Sequence, residues 1–211
     1  MTVAAIVIVP NSAAALAHSE GEPVIRRLVQ SAWAGGALPI VVVCPDADTE
    51  FERAMVELQV VSNCPDPSLP HGIGWFAGGQ QAAVAAVVET SASLLWPFRY
   101  SWIDPETVTS LIEAHGAAPD TIIRPTYGDQ GGFPILVPNS LTGRLKALAG
   151  LHGEEAIEAL IAAGVASLNV ELGDPGIVHD SATARSNLPD YQGPPAPVPG
   201  SVARMDAEPA D

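Results

Sequence analysis

Short, continuously apolar runs alternate along the chain with longer segments whose apolar residues recur every three or four positions. Val3 to Val9 is an unbroken β-rich run closed by Pro10, the pattern of a strand covered on both faces. Asn11 to Glu22 is small and polar and predicts a loop or a frayed turn. Pro23 opens a helix that turns Val24, Ile25, Leu28, Val29 and Ala32 to one face and Arg26, Arg27 and Gln30 to water, and Gly35-Gly36 closes it. Pro39 to Cys44 predicts the next strand, Thr49 to Leu58 a helix with Phe51, Met55 and Leu58 inward, and Val60-Val61 a short strand. A Pro- and Gly-rich run from Pro65 to Gly79 then leads into an alanine-rich helix predicted from Gly79 to Thr90.

The alternation continues through Leu94-Leu95-Trp96-Pro97-Phe98-Arg99-Tyr100-Ser101-Trp102-Ile103, an apolar run that empties into a helix start at Asp104-Pro105-Glu106. A helix is predicted from Pro105 to His115, stopped by Gly116. β-rich runs follow at Thr121 to Thr126 and Phe133 to Pro138, bridged by the glycine-rich hairpin or insertion Tyr127 to Gly132. Leu141 to Leu148 and Glu154 to Ala163 predict amphipathic helices, and Ala166 to Leu172 a last strand. Strands and helices alternating at this spacing indicate βαβ units, hence an α/β domain with a mainly parallel, doubly wound sheet. That domain is expected over residues 1–188, followed by a proline-rich, solvated and disordered tail from Pro189 to Asp211.

With 211 residues the chain can bury a substantial core without disulfides or metals. No apolar run reaches the length of about 18 residues that spans a bilayer, and the N-terminal run lacks a basic segment and a cleavage site, so a cytoplasmic protein is expected. A net charge of −15 with nine Lys and Arg excludes a nucleic-acid backbone as partner and gives no basic face for a membrane. Cys44 and Cys64 lack metal-type spacing and read as reduced structural thiols. The histidines are scattered, and no Gly-x-Ser-x-Gly, Cys-x-x-Cys, His-Glu-x-x-His or Walker motif is present.

Ligands of open α/β sheets bind beyond the carboxyl ends of the strands, so chemistry is expected where Trp96-Pro97-Phe98-Arg99 leaves the sheet. The segments Gly21-Glu22-Pro23-Val24, Gly72 to Ala83, Leu95-Trp96-Pro97 with Asp104-Pro105-Glu106-Thr107-Val108, Arg124 to Leu136, and Asp174-Pro175-Gly176-Ile177 with Asp180 occur in a telling order. In that order the chain resembles the MobA-like nucleotidyltransferases, in particular the molybdenum-cofactor cytidylyltransferase branch, from about Met1 to Tyr191. The resemblance implies a Rossmann-like three-layer sandwich of the glycosyltransferase-A type. For an active member it also implies Mg2+ and in-line transfer of a nucleotidyl group from an NTP to a phosphorylated acceptor such as molybdopterin.

The departures from the family pattern bear on activity. Active members carry a glycine-rich, basic loop after the first strand, which cradles phosphates; here Pro10 to Glu20 holds no Gly, Lys or Arg. The family's metal-binding Asp in the strand-loop after Leu95-Trp96-Pro97 is replaced, on alignment through Pro97 and Pro105, by Arg99, which cannot ligate a cation. Arg99 either clamps phosphate directly or pairs with an acid such as Asp180. Trp75 beside Phe76 replaces a small hydroxyl residue, Phe133 stands where close relatives carry His, and the C-terminal acidic pattern keeps Asp180 but not its second carboxylate.

By this resemblance the residues of a nucleotide site are Asn11, Ser12, His18, Gly72, Gly74, Trp75 and Arg99, with Asp180 as metal ligand. Asp104 reads as a second ligand or as a helix N-cap. Three readings follow. The first is a degenerate family member acting as a binding or accessory protein, its pocket filled by Trp75 and Phe76 and Arg99 held by an internal acid. The second is an active Mg2+-dependent enzyme. In the third, Trp75, Trp96, Tyr100 and Trp102 mark a self-association surface. The partners implied are a nucleotide or molybdenum-cofactor ligand, a protein partner, or a second copy of the chain.

Overall fold

The computed structural model describes residues 2–65 and 72–193. Strand β1 (Thr2–Ile8) is the centre of the fold because every residue after Thr2 is buried. Val3, Ala5 and Val7 enter one core layer and Ala4, Ile6 and Ile8 the other, which is why the run is apolar without alternation. Parallel neighbours flank it, β4 (Ile40–Val43) on one side and β6 (Thr90–Pro97) on the other. Beyond β4 lies β5 (Val61–Asn63), again parallel.

Past β6 the sheet changes direction. Strand β9 (Ile135–Pro138) runs antiparallel to both β6 and β7 (Ile122–Tyr127), and β10 (Ser167–Glu171) returns parallel to β7 at the edge. The order is β10-β7-β9-β6-β1-β4-β5, with the two-residue β8 (Gln130–Gly131) hairpinned onto β7. Helices α2 (Val24–Ala34), α3 (Thr49–Glu57) and α5 (Pro105–Ala117) supply Leu28, Phe51, Met55, Val108 and Leu111 to one layer. Helices α4 (Ile73–Ala86), α6 (Thr142–Ala147) and α7 (Gly153–Ala162) supply Phe76, Leu145, Ile157 and Leu160 to the other. The result is the expected three-layer α/β sandwich with a mainly parallel sheet. Among the described residues no helix is long and apolar enough to cross a membrane.

Several elements differ from the sequence expectation. Asn11 to Glu22 is structured: Asn11 Oδ1 accepts the Ala14 N–H at 2.7 Å and caps α1 (Ser12–Leu16). A small hairpin follows, β2 (His18–Ser19) against β3 (Glu22–Pro23), turned by Glu20 and Gly21 at positive φ. Helix α4 begins at Ile73, six residues ahead of the predicted start at Gly79. Gly79 serves packing there, since a Cβ on it would meet Ile6 Cγ2 at 2.4 Å; the helix crosses the sheet closely at this point. α5 likewise runs through Gly116 to Ala117.

Arg27, expected in water, is only 9 % exposed. Its Nε meets Glu22 Oε1 at 3.3 Å, its Nη2 donates to Ser19 O at 2.5 Å, and its guanidinium lies 4.1 Å from the Trp102 ring centroid. It fixes the hairpin to α2. The tail expected from Pro189 is anchored over its first residues, with Gln192 N–H donating to Gly173 O at 2.7 Å; the disordered tail read for the rest lies outside the described residues from residue 194 on.

Candidate functional site

The sheet turns around between β1 and β6, because β4 and β5 extend one way from β1 and the remaining strands the other. At the carboxyl end of that junction, the place where such sheets bind ligands, a cleft of about 360 Å3 opens. Ile8 and Pro10 leave β1 into it, and Pro97, Phe98 and Arg99 leave β6 beside them. Phe133 and the start of α7, with His152, Gly153 and Glu154, form the far wall, and Gly72 at the head of α4 closes the floor. A side chain at Gly72 would meet the Leu151 carbonyl oxygen at 2.3 Å, so α4 and the α7 approach can touch only through glycine.

Arg99 is exposed at this mouth. Its Nη2 donates to the Tyr100 hydroxyl at 3.2 Å and its guanidinium carbon lies 4.9 Å from the Tyr100 ring centroid. Tyr100 in turn stacks on Phe133, centroids 4.9 Å apart. The ion pair expected between Arg99 and Asp180 does not form. Asp180 Oδ1 accepts the Ala182 N–H at 3.0 Å, and the two segments meet through their backbones, Ser181 N–H donating to Arg99 O at 2.6 Å. The ion pairs among the described residues are Arg27 with Glu22 and Arg124 with Glu158.

On the other side of β1, the first amide of α1 is occupied. Ser12 N–H donates to Asp46 Oδ1 at 2.7 Å, and the Ser12 hydroxyl lies 3.4 Å from Asp48 Oδ2. Asp48 Oδ1 also caps α3 through the Phe51 N–H at 2.8 Å. Cys44, at the end of β4, donates its thiol to Asp46 Oδ1 at 3.3 Å, and burial pushes that thiol's pKa up to about 12. These carboxylates come from a loop more than thirty positions further along the chain, so no local pattern around Asn11 and Ser12 announces them.

The acidic residues near α5 are engaged in structure. Asp104 is the N-cap, its Oδ1 accepting the Glu106 N–H at 3.0 Å. Asp174, 2 % exposed, accepts from the Asp104 N–H at 2.9 Å, the Thr107 hydroxyl at 2.7 Å and the Gly176 N–H at 2.8 Å. Burial raises its pKa despite those three donors. Among the described residues, no three His, Cys, Asp or Glu side chains gather as a cation-binding group.

The residues predicted for a nucleotide site therefore separate. Gly72 and Arg99 line one cleft; Asn11, the N-cap of α1, and Ser12, its first residue, follow Pro10 in sequence but do not line it. His18 is exposed on the β2–β3 hairpin. Gly74 and Trp75 line a different groove, of about 690 Å3, with Asn63, Cys64 and Lys146 on the outer side of α4. Trp75 and Phe76 are buried in the α4 core layer and do not fill the strand-end cleft, against expectation. The aromatic self-association surface is also overturned: Trp75, Trp96 and Trp102 are 6 %, 0 % and 9 % exposed, while Trp33, not singled out, is 67 % exposed.

The sequence model of the MobA-like NTP transferase domain matches residues 13–167, well over half of the chain. The chain belongs to this family. Its fold is shared by several solved structures. Against a nucleotidyl transferase from Methanothermobacter the TM-score is 0.68 at 17% identity, covering 84% of this chain and 91% of the other. Against Rv0371c of Mycobacterium tuberculosis, solved in complex with manganese, the values are 0.61, 18%, 81% and 89%. Against molybdopterin-guanine dinucleotide biosynthesis protein A of Archaeoglobus fulgidus they are 0.58, 12%, 81% and 83%. No curated protein matches the chain. At these identities the likeness establishes the nucleotidyltransferase fold, and the residues at the strand ends must carry any account of what this family member does.

Proposed function

We propose that this MobA-like family member uses its strand-end cleft to bind a ligand, as a binding or accessory protein, and does not carry out metal-dependent nucleotidyl transfer. The observation that carries the reading is Arg99. It stands at the end of β6, the position where the resemblance calls for a metal-binding carboxylate, and it faces the cleft from the mouth. A guanidinium offers five donors and no lone pair for a cation, and its charge repels one.

Two further features support the same reading. The loop after β1, which in active relatives would cradle triphosphate, is closed on itself here: Asp46 takes the Ser12 amide and the Asn11 side chain takes the Ala14 amide. An anionic side chain already sits where a phosphate would need those donors. Of the residues that could hold Mg2+, Asp104 gives Oδ1 to the cap of α5 and Asp180 gives Oδ1 to its own turn, and among the described residues no three acidic, His or Cys side chains gather to hold a cation.

The alternative, an active cytidylyltransferase-like enzyme moving a nucleotidyl group to a phosphorylated cofactor, draws its support from Asp180 lying one residue from the Ser181–Arg99 backbone contact. Calorimetric titration of the full chain with CTP, GTP and ATP, each with excess Mg2+ and again with EDTA, decides between them. The binding-protein reading predicts no EDTA-sensitive nucleotide binding at micromolar concentration. A micromolar complex that disappears with EDTA selects the enzyme.

A further inference from the structure

Resting on the binding-protein reading, we propose that Arg99 is the cleft's own resident cation. In this proposal it binds, without any divalent ion, the oxyanion head of a ligand whose apolar, ring-sized body lies between Phe98 and Phe133.

The chain carries 24 Asp and Glu against nine Lys and Arg, so a surface arginine has every opportunity to find a carboxylate. Arg99 has no ion-pair partner among the described residues. It is instead held by an uncharged group: one Nη2 donor is spent on the Tyr100 hydroxyl, 3.2 Å away, and the ring face beside it steadies the guanidinium. Tyr100 is itself fixed by its stack on Phe133. Of the five donors, four remain, and a fork of parallel N–H groups is what a phosphate or carboxylate accepts in bidentate fashion.

The cleft behind Arg99 sets the rest of the ligand. Ile8, Leu95, Pro97, Phe98 and Phe133 are apolar, and the volume of about 360 Å3 suits a small molecule with one ring. Glu154 lines the same cleft from α7 and repels an anion on its side. The head is thereby directed to the β6 side, against Arg99, with the ring on the aromatic walls. The family's divalent ion has the same electrostatic task, and here a covalently attached charge performs it.

The test uses the full chain in EDTA and three probes: phenyl phosphate, benzoate and inorganic phosphate, titrated by calorimetry. The proposal predicts that phenyl phosphate or benzoate binds in the submillimolar range with an affinity unchanged by excess Mg2+, and that inorganic phosphate, lacking the ring, binds at least tenfold more weakly. The stronger of the first two identifies the head group. Arg99→Ala lowers that affinity at least tenfold and Arg99→Lys less; because the side chain is exposed, both keep the wild-type unfolding midpoint, which checks the fold. Phe98→Leu, at the aromatic wall that takes no part in holding Tyr100, weakens phenyl phosphate and leaves inorganic phosphate unaltered. Binding that is unaffected by Arg99→Ala, that requires Mg2+, or that is absent for both ring-bearing probes overturns the proposal. None of these results touches the reading beneath it, which stands or falls on EDTA-sensitive nucleotide binding.

Discussion

Ser12 donates its backbone N–H to the Asp46 carboxylate at 2.7 Å, across 34 positions of sequence. This bond joins the loop after β1 to the loop after β4 and places a negative charge against the first amide of α1. Asp46 is exposed, so the bond is one of geometry more than burial. Asp46→Ala should cost about 1 kcal/mol in urea unfolding, the usual worth of one such hydrogen bond. It should also accelerate hydrogen exchange of the Ser12 amide while leaving that of the β1 core amides in place. Unchanged exchange at Ser12 would show that the bond does not close the loop.

Arg27 ties α2, the β2–β3 hairpin and Trp102 together through one guanidinium. Arg27→Ala removes the stack, leaves Glu22 without its cation and frees the Ser19 carbonyl, and should destabilise the protein by about 2 kcal/mol in the same measurement. Arg27→Lys restores the charge but not the planar stack and should recover only part of the loss.

Both the strengths and the failures of the sequence reading have physical causes. Strands buried on two faces, such as β1 and β4, announce themselves because every position must be apolar. Helices with one buried stripe, such as α2, announce themselves by period. Period alone places Arg27 on the wet side, whereas its long side chain folds back over Trp102. Gly72, Gly74, Gly78 and Gly79 hide the start of α4 because such a run has the composition of a loop, while Gly79 allows helix and β1 to approach. At the cleft, the place of Arg99 beyond a strand end is legible from the sequence, and Gly72 comes in only through the family resemblance. Asp46, which blocks the first amide of α1, is not legible, because only the fold brings it there.

Asp174 is the most deeply buried carboxylate of the α5 start, and burial holds its pKa above the ordinary 3.8. The folded state therefore keeps its proton to higher pH than the unfolded state does. The associated stabilisation is complete below the unfolded pKa and is lost as pH rises through the folded value. Asp174→Ala, which strands the Asp104 and Gly176 amides and the Thr107 hydroxyl, should cost about 3 kcal/mol. The gap between wild type and variant should narrow as pH rises from 3.8 through that window, measured by denaturant unfolding at a series of pH values.

His115 titrates in the opposite sense. It is 3 % exposed, its Nε2 lies 3.1 Å from the Ser91 hydroxyl, and burial lowers its pKa from 6.5. The unfolded state thus takes up a proton first as pH falls below 6.5, and the folded protein loses stability until the folded pKa is passed. His115→Gln should flatten this part of the stability profile. A variant whose stability falls below pH 6.5 as steeply as the wild type would assign the slope to other groups.

The claim that Arg99 replaces the family's divalent ion is tested most directly by titrating the full chain with Mn2+ and following the free ion by electron paramagnetic resonance, with and without CTP. The account predicts no stoichiometric site of micromolar affinity in the wild type. It also predicts that Arg99→Asp, which returns a carboxylate to the end of β6 near Asp180, binds Mn2+ more tightly than the wild type. One tightly held Mn2+ per wild-type chain, strengthened by CTP, would contradict the account.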